Sequence, residues 1–326
     1  MKLPHRRRFL HLAAGAAALP ITSHLASAQA YPSRSVRIIV PAPPGGAADI
    51  AARLMGQCLS ERLGQPFVIE NRPGAATNIG TDVVVRAPPD GYTLLLVSAI
   101  SAVNATLYDK LNFNFIRDIA PIASITRLPF VMLINPAVPA TTVPEFIAYA
   151  KTNPGKINFG SNGMGTGIHV AGELFNMMTG VNIVHVHYRG EAPALTDLIG
   201  GQVQVSFSTL PGSIEFIRAG KLRPLAVTTA KRQGVLPEVP TLSDFLTGYE
   251  ASGWLGVGAP KGTSTAFIDK LNTAINTALT DPKIKARLSE LGGEVLALSP
   301  ADFGKLIAED TEKWGKVIRA ANIKAE

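Results

Sequence analysis

VRIIVPAPPGGAADIAARLMGQCLSERLGQPFVIE, residues 36–70, decides the fold. Its first five residues, 36–40, form an apolar, β-branched run, the composition of a buried strand. A loop of small residues and prolines follows, Pro43-Pro44-Gly45-Gly46-Ala47-Ala48-Asp49. Residues 48–63 then carry Ile50, Leu54, Met55, Leu59 and Leu63 at helical spacing, and Gly64 closes the helix. A second strand, 67–70, comes at once. Strand, helix and strand in this order predict an α/β fold with mostly parallel sheets covered by helices. Cys58 sits among the apolar helix positions and reads as a small core residue. It is the single cysteine of the chain, so no internal disulfide is expected.

Working outward, the alternation continues. A helix is predicted over 78–86, a turn at Pro88-Pro89-Asp90-Gly91, and a strand over 93–98. In that turn Pro presets φ and Gly accepts a positive φ. In the second half, Thr142-Val143-Pro144-Glu145 is a capping box that opens a helix running to about residue 151. A strand at 157–159 enters the glycine-rich loop 160–167, and a helix follows to 178. Strands at 181–188, 203–207 and 225–228 bracket a helix at 192–199. After 254–259 the chain turns helical, with segments 264–279, 282–291 and 302–321, the last capped by Ser299-Pro300-Ala301-Asp302. No fixed-period repeat and no low-complexity linker interrupts the pattern, which predicts two lobes joined by short crossovers.

The chain has 326 residues, 46% apolar and 17% charged, and its charged share lies below the ~25% usual for globular proteins. At roughly 100–200 residues per domain, two domains are expected. The formal charge is +7, but Lys2, Arg6, Arg7 and Arg8 supply four of those charges and residues 1–30 contain no acid. The remainder, about +3, gives no basic patch for nucleic acid. The same residues form an export leader, 1–30. His5-Arg6-Arg7-Arg8 precedes an apolar run, 9–19, and Ala26-Ser27-Ala28 and Ala28-Gln29-Ala30 are small-x-small cleavage sites. Arg6-Arg7-Arg8-Phe9-Leu10 fits twin-arginine export as well as the general secretory route. The apolar run is shorter than the ~20 residues needed to span a bilayer, so an exported, soluble protein beginning near Tyr31 is expected.

Three loops that lead from a strand to a helix concentrate small residues: 43–49, 72–78 and 161–167. Each puts backbone N–H groups at a helix N-terminus, where the dipole favours an anion and glycine permits close approach. In open α/β sheets such loops gather outside the carboxyl ends of the strands. No loop matches a nucleotide motif: Gly163-x-Gly165-x-Gly167 is not G-x-G-x-x-G, and there is no G-x-x-x-x-G-K-[ST]. No cofactor is implied. Ser161 misses the nucleophile elbow G-x-S-x-G. His185 and His187 alternate along a strand and share a face, which suits either a metal or a plain structural pair.

Read in order, these loops resemble the substrate-binding proteins of tripartite tricarboxylate transporters, the Bug-type receptors. The resemblance runs from Tyr31-Pro32-Ser33-Arg34 through Gly45-Gly46-Ala47-Ala48-Asp49, Glu70-Asn71-Arg72-Pro73-Gly74-Ala75 and Pro89-Asp90-Gly91-Tyr92-Thr93-Leu94. It continues through Ala171-Gly172-Glu173-Leu174-Phe175, Tyr188-Arg189-Gly190 and Gly200-Gly201-Gln202-Val203 to Leu236-Pro237-Glu238-Val239-Pro240-Thr241, nearly the whole mature chain. It implies a two-lobed periplasmic binding protein of type II. One lobe would comprise 31–128 with 250–326, the other 129–249, with the crossovers near Leu128 and Gly253. It further implies a monomer that holds a small carboxylate between its lobes and delivers it to membrane permease subunits. The ligand set implied is Gly45, Gly46, Asp49, Asn71, Ala75 and Asn78 from one lobe. From the other come Ser161, Asn162, Gly163, Thr166, Tyr188, Gly190 and Ala192. Asp49 is expected to cap its helix and order water rather than touch a carboxylate.

Two departures matter. Ala42 stands where the family carries an aromatic residue, with Pro44 before the glycines. Phe207-Ser208-Thr209-Leu210-Pro211 replaces the family's F-D-N-x-P. Both changes point to a more apolar or bulkier acid, and His187 replaces a common Pro. Two rival readings share the architecture: a periplasmic hydrolase or metal-dependent enzyme centred on His185 and His187, and a ligand sensor that feeds a membrane signalling protein.

Overall fold

The computed structural model describes residues 31–108 and 110–325, so the leader read over 1–30 lies outside the described residues. β1 (Val36–Val40) leads through α1 (Ala47–Leu63), β2 (Phe67–Asn71), α2 (Asn78–Val85) and β3 (Thr93–Ser98) to α3 (Ala99–Leu107). The short α4 (Phe115–Asp118) starts the long β4 (Ile119–Ile134). There follow α5 (Val143–Thr152), β5 (Asn158–Ser161), α6 (Gly167–Thr179), β6 (Val184–His187), α7 (Glu191–Ile199), β7 (Val205–Thr209), α8 (Leu210–Arg218) and β8 (Arg223–Val227). β9 (Ser252–Pro260) returns, and α9 (Thr265–Ala278), α10 (Pro282–Glu290), β10 (Glu294–Val295) and α11 (Pro300–Ala320) close the chain.

Strand order is β2-β1-β3-β9-β4-β7-β5-β6, with β8 and β10 on β4. The outer strands are parallel as expected: β1 pairs β2 and β3, and β5 pairs β6 and β7. The centre differs, because β4 and β9 are the strands by which the chain crosses out and back. They run antiparallel to each other from Ile119–Pro260 to Pro129–Ser252. From Phe130 onward β4 leaves β9 and pairs β7. One strand therefore serves both sheets of the two-lobed α/β architecture and exchanges partners between Pro129 and Phe130.

Local chemistry sets the helix ends. Gly64 adopts a left-handed conformation and donates its N–H to Ser60 O, which stops α1. Thr142 Oγ1 accepts from Glu145 N–H at α5, and Ser299 Oγ accepts from Asp302 N–H at α11, each such cap being worth ~1 kcal/mol. Phe146, Phe159, Phe175 and Phe207 pack the core under α5 and α6, with Phe175 and Phe207 5.9 Å apart between ring centres. Gly172 permits this: a side chain there would run into the Phe159 ring. A second core lies between β1, α1 and α9, around Ile38, Met55, Leu59 and Leu271. Cys58 is half-buried against it, and burial pushes its thiol pKa up. Among the described residues no helix is long and apolar enough to cross a membrane.

Candidate functional site

A cavity of about 270 Å³ opens where the carboxyl ends of β1, β3, β5 and β7 meet the β4–β9 crossover. Its lining comes from the β1–α1 loop (Pro41, Ala42, Ala47, Ala48), Thr77, the end of β3 and start of α3 (Leu96, Ser98, Ala99, Ile100) and the crossover strands (Leu128, Phe130, Gly253, Trp254, Leu255). Asn162, Thr166, Gly167, Ile168 and Thr209 complete it. Every lining residue is uncharged. The first turns of α1, α3 and α6 all reach this wall, and the leading N–H groups of a helix have no partner four residues back. A roomier space of about 680 Å³ beside Tyr108 and Arg319 gathers none of these termini.

The β1–α1 loop is held from behind. Asp49 is buried and accepts from Gly45 N–H (2.9 Å), Arg53 Nε (3.0 Å) and Asn71 Nδ2 (2.9 Å). The Arg53 hydrogen bond is the main reason that its carboxyl is lowered to about 2. Asn71 also donates to Ala42 O (3.0 Å) and accepts from Arg53 Nη2 (3.1 Å). Asp49 and Asn71 thus brace the loop, and Asp49 binds the N–H of Gly45 rather than capping α1. Gly46 occupies the cap position with no side-chain hydrogen bond, which leaves the first turn of α1 open.

The second loop is strained. Ala75, Ala76 and Thr77 all have positive φ (44°, 47° and 81°), a region L residues seldom enter and which costs ~1–3 kcal/mol per residue. Asn104 of α3 holds this turn through Nδ2, which donates to Ala76 O and Asn78 Oδ1 (3.2 Å). Asn78 Nδ2 and Asn104 Oδ1 are buried without a partner. Ala75 and Asn78 therefore flank Thr77, which lines the cavity itself.

The third loop folds on itself. Thr166 Oγ1 donates to Gly163 O (2.9 Å) and accepts from His169 N–H (3.3 Å), which fixes the start of α6. Ser161 is fully buried; its Oγ meets His185 Nε2 at 2.6 Å and accepts from Gly163 N–H at 3.3 Å. Gly165 N–H donates to His169 Nδ1 (2.9 Å), and the His169 and His185 rings stack 3.6 Å apart. Burial, reinforced by His169 and His187, lowers the pKa of His185 to about 3. Its ring is thus a half-buried neutral strut, whereas His187 is exposed with its ring centre 6.3 Å away.

Of the residues the sequence singles out, Asn162 and Thr166 line the cavity, and Gly45, Gly46, Ser161 and Gly163 lie in loops that contribute lining residues. Tyr188, Gly190 and Ala192 sit outside that lining. Tyr188 donates to Asp197 Oδ2 (2.8 Å); burial chiefly, and this bond to a carboxylate in addition, raise its hydroxyl pKa to about 12. Sequence reading missed the apolar wall, Leu96, Leu128, Phe130, Trp254 and Leu255, and the α3 start at Ser98. The available signal was position: Leu128 and Gly253, the expected crossovers, both touch the cavity.

Comparison with known proteins follows the geometry. Residues 51–323 match the model of the tripartite tricarboxylate transporter family receptor. Protein BugT of Bordetella pertussis is 36% identical over 303 residues, 91% of this chain and 92% of that one. An R. palustris protein solved with adipate is 38% identical with a TM-score of 0.76, covering 90% of this chain and 99% of its own. MatC of Rhodopseudomonas palustris, solved with bound malate, is 30% identical with a TM-score of 0.72, covering 88% and 100%. These relatives carry no support for a hydrolase or a metal enzyme. A family match over most of the chain and relatives of this identity along its length make one assignment: the chain belongs to the tripartite tricarboxylate transporter receptor family.

Proposed function

We propose that this protein is a periplasmic solute receptor that holds a small organic carboxylate in the cavity between its lobes and hands it to the membrane permease subunits of a tripartite transporter. The observation that carries the reading is the uncharged cavity onto which the first turns of α1, α3 and α6 converge. A carboxylate there is met by backbone N–H groups and helix dipoles, against a largely apolar wall where each such bond counts for more. Two solved relatives hold adipate and malate, acids of this class. The protein works as a monomer, with no cofactor and no reaction of its own, after residues 1–30 direct export by either route and are removed.

The division that suits this function places 31–128 and 250–326 in one lobe and 129–249 in the other. Support comes from β4, which exchanges β9 for β7 at Phe130, and from Ala251, whose N–H donates to Thr228 O (3.0 Å) just before β9 starts. Closure about these two strands would bring the α1 and α6 loops onto one ligand. The Arg127–Glu250 ion pair lies beside the same crossing and ties the two strands' approaches together.

A thermal-shift screen against di- and tricarboxylates, aromatic acids, amino acids, sugars and zinc tests the reading. A carboxylate at one hundred times its dissociation constant should add about 2.7 kcal/mol and raise Tm by several degrees. A response to sugars or to zinc, with silence from every acid, contradicts it.

A further inference from the structure

We infer that the acid selected by this cavity carries one carboxylate on an apolar body, aromatic or branched aliphatic, and that di- and tricarboxylates are disfavoured. The inference rests on the receptor reading above and narrows its ligand. Beyond the loop N–H groups the wall is hydrocarbon, formed by Leu96, Leu128, Phe130, Ile168, Trp254 and Leu255. No Arg, Lys or His side chain lines the cavity.

Ser98, Thr77 and Asn162 bring neutral donors to the wall but no cation, and the remaining polar side chains of the lining are already engaged. Trp254 Nε1 donates to the buried Asp310 Oδ2 at 2.7 Å, so the indole offers the cavity carbon rather than a donor. Thr209 donates both its N–H and its Oγ1 to Glu191, at 2.6 and 2.8 Å. Glu191 thereby places a carboxylate of the protein itself at the start of α8. That helix end is closed to a ligand anion, and the nearby negative charge opposes one. Burying an ionised group without a cation or a full set of donors is far costlier than burying a methylene or a ring.

Space agrees with this chemistry. Ala42, Ala47, Ala48 and Ala99 keep the lining thin, and about 270 Å³ equals roughly nine waters at ~30 Å³ each, the bulk of a small ring or branched chain. The match is of shape and polarity together: one anionic end at the helix starts, one apolar end against Phe130 and Trp254.

Hexanoate and adipate have the same chain and differ by one carboxylate, which makes them the decisive pair. Isothermal titration of the purified protein with both, with 3-phenylpropanoate as a bulkier monoacid and hexanamide as the uncharged control, reads the inference directly. A monoacid is expected to bind at least about tenfold tighter than adipate, with a negative heat-capacity change from apolar burial, and hexanamide far more weakly. In Leu128→Lys, checked for folding by circular dichroism, the order is expected to reverse towards adipate. If that variant does not fold, the wild-type comparison decides alone. Adipate binding tighter than both monoacids to the wild type overturns the inference and leaves the receptor reading standing. Absence of heat from all three acids at millimolar concentration overturns the receptor reading itself.

Discussion

Trp254 Nε1 donates to Asp310 Oδ2 at 2.7 Å, and this bond ties β9, a crossing strand, to the last helix, α11. Both residues are buried, and Lys313 Nζ lies 2.7 Å from the other carboxylate oxygen and offsets its charge. Phe303 meets the indole edge-on at 5.5 Å. The ring that walls the cavity is therefore pinned by the same contacts that close the lobe, and site and fold share one joint.

Asp310→Ala should leave a buried indole N–H unpaired. The expected loss is about 1–3 kcal/mol of stability, read as a lower denaturant midpoint at unchanged slope. Asp310→Asn keeps an acceptor for Trp254 and should lose less. Equal midpoints for wild type and Asp310→Ala contradict the role given to this bond.

Gly46 and Gly163 separate binding from folding. A Cβ on Gly46 meets nothing within 4 Å, and its φ of −81° suits any residue. Gly46→Leu should therefore change stability by no more than about 0.5 kcal/mol while covering the first turn of α1 and weakening carboxylate binding. Gly163 has a φ of +141°, which only glycine adopts at ease, so Gly163→Leu should lose stability as well as affinity. Similar melting curves for the two variants speak against this distinction.

His185 gives the protein an acid limb. Its folded pKa is lowered to about 3, and the unfolded chain protonates near the ordinary 6.5. Between those values the unfolded state binds the extra proton, so this contribution is full above pH 6.5 and is lost as pH falls towards 3. His185→Gln should flatten the fall in stability across that window, measured by urea unfolding at a series of pH values. An unchanged slope counts against burial of a neutral ring.

Asp49 acts lower on the scale. Its carboxyl is lowered to about 2, from an ordinary value near 4. Its contribution is present above 4 and disappears as pH falls through 2, so the Asp49→Asn effect should be largest above pH 4 and shrink below it. With the Gly45 and Asn71 bonds weakened, the β1–α1 loop should also exchange its amide hydrogens faster.

Much of this architecture is legible in single residues. The strand 36–40 and the strand 93–98 occur with the bounds their apolar runs suggest, and α1 differs from its expected 48–63 by one residue. The helices that carry their own punctuation, Gly64 after α1 and Ser299 before α11, were readable for that reason. β4 was not, because Pro121 and Pro129 interrupt its apolar run and its two halves serve two sheets, so no single alternation marks it. α8 was hidden by Leu210-Pro211-Gly212, which reads as a turn, although the Pro occupies the first helical turn where a missing N–H costs nothing.

The site divides in the same way. Glycine and small-residue loops announce the anion anchor proposed here, since their backbone role follows from composition. The walls do not announce themselves: Phe130 and Trp254 look like any core aromatic until β4 and β9 bring them to the crossover. Asp49 and Tyr188 show the reverse case. The resemblance places both in the ligand set, Asp49 as a helix cap, yet in the structure Asp49 braces a loop and Tyr188 binds Asp197.

The most direct test is isothermal titration of wild type and Gly46→Leu, side by side, with the tighter-binding of hexanoate and adipate. A carboxylate anchored on the first turn of α1 predicts at least a hundredfold weaker binding in the variant, about 2.7 kcal/mol, at an unchanged ligand-free Tm. Equal dissociation constants in two equally stable proteins contradict that anchor.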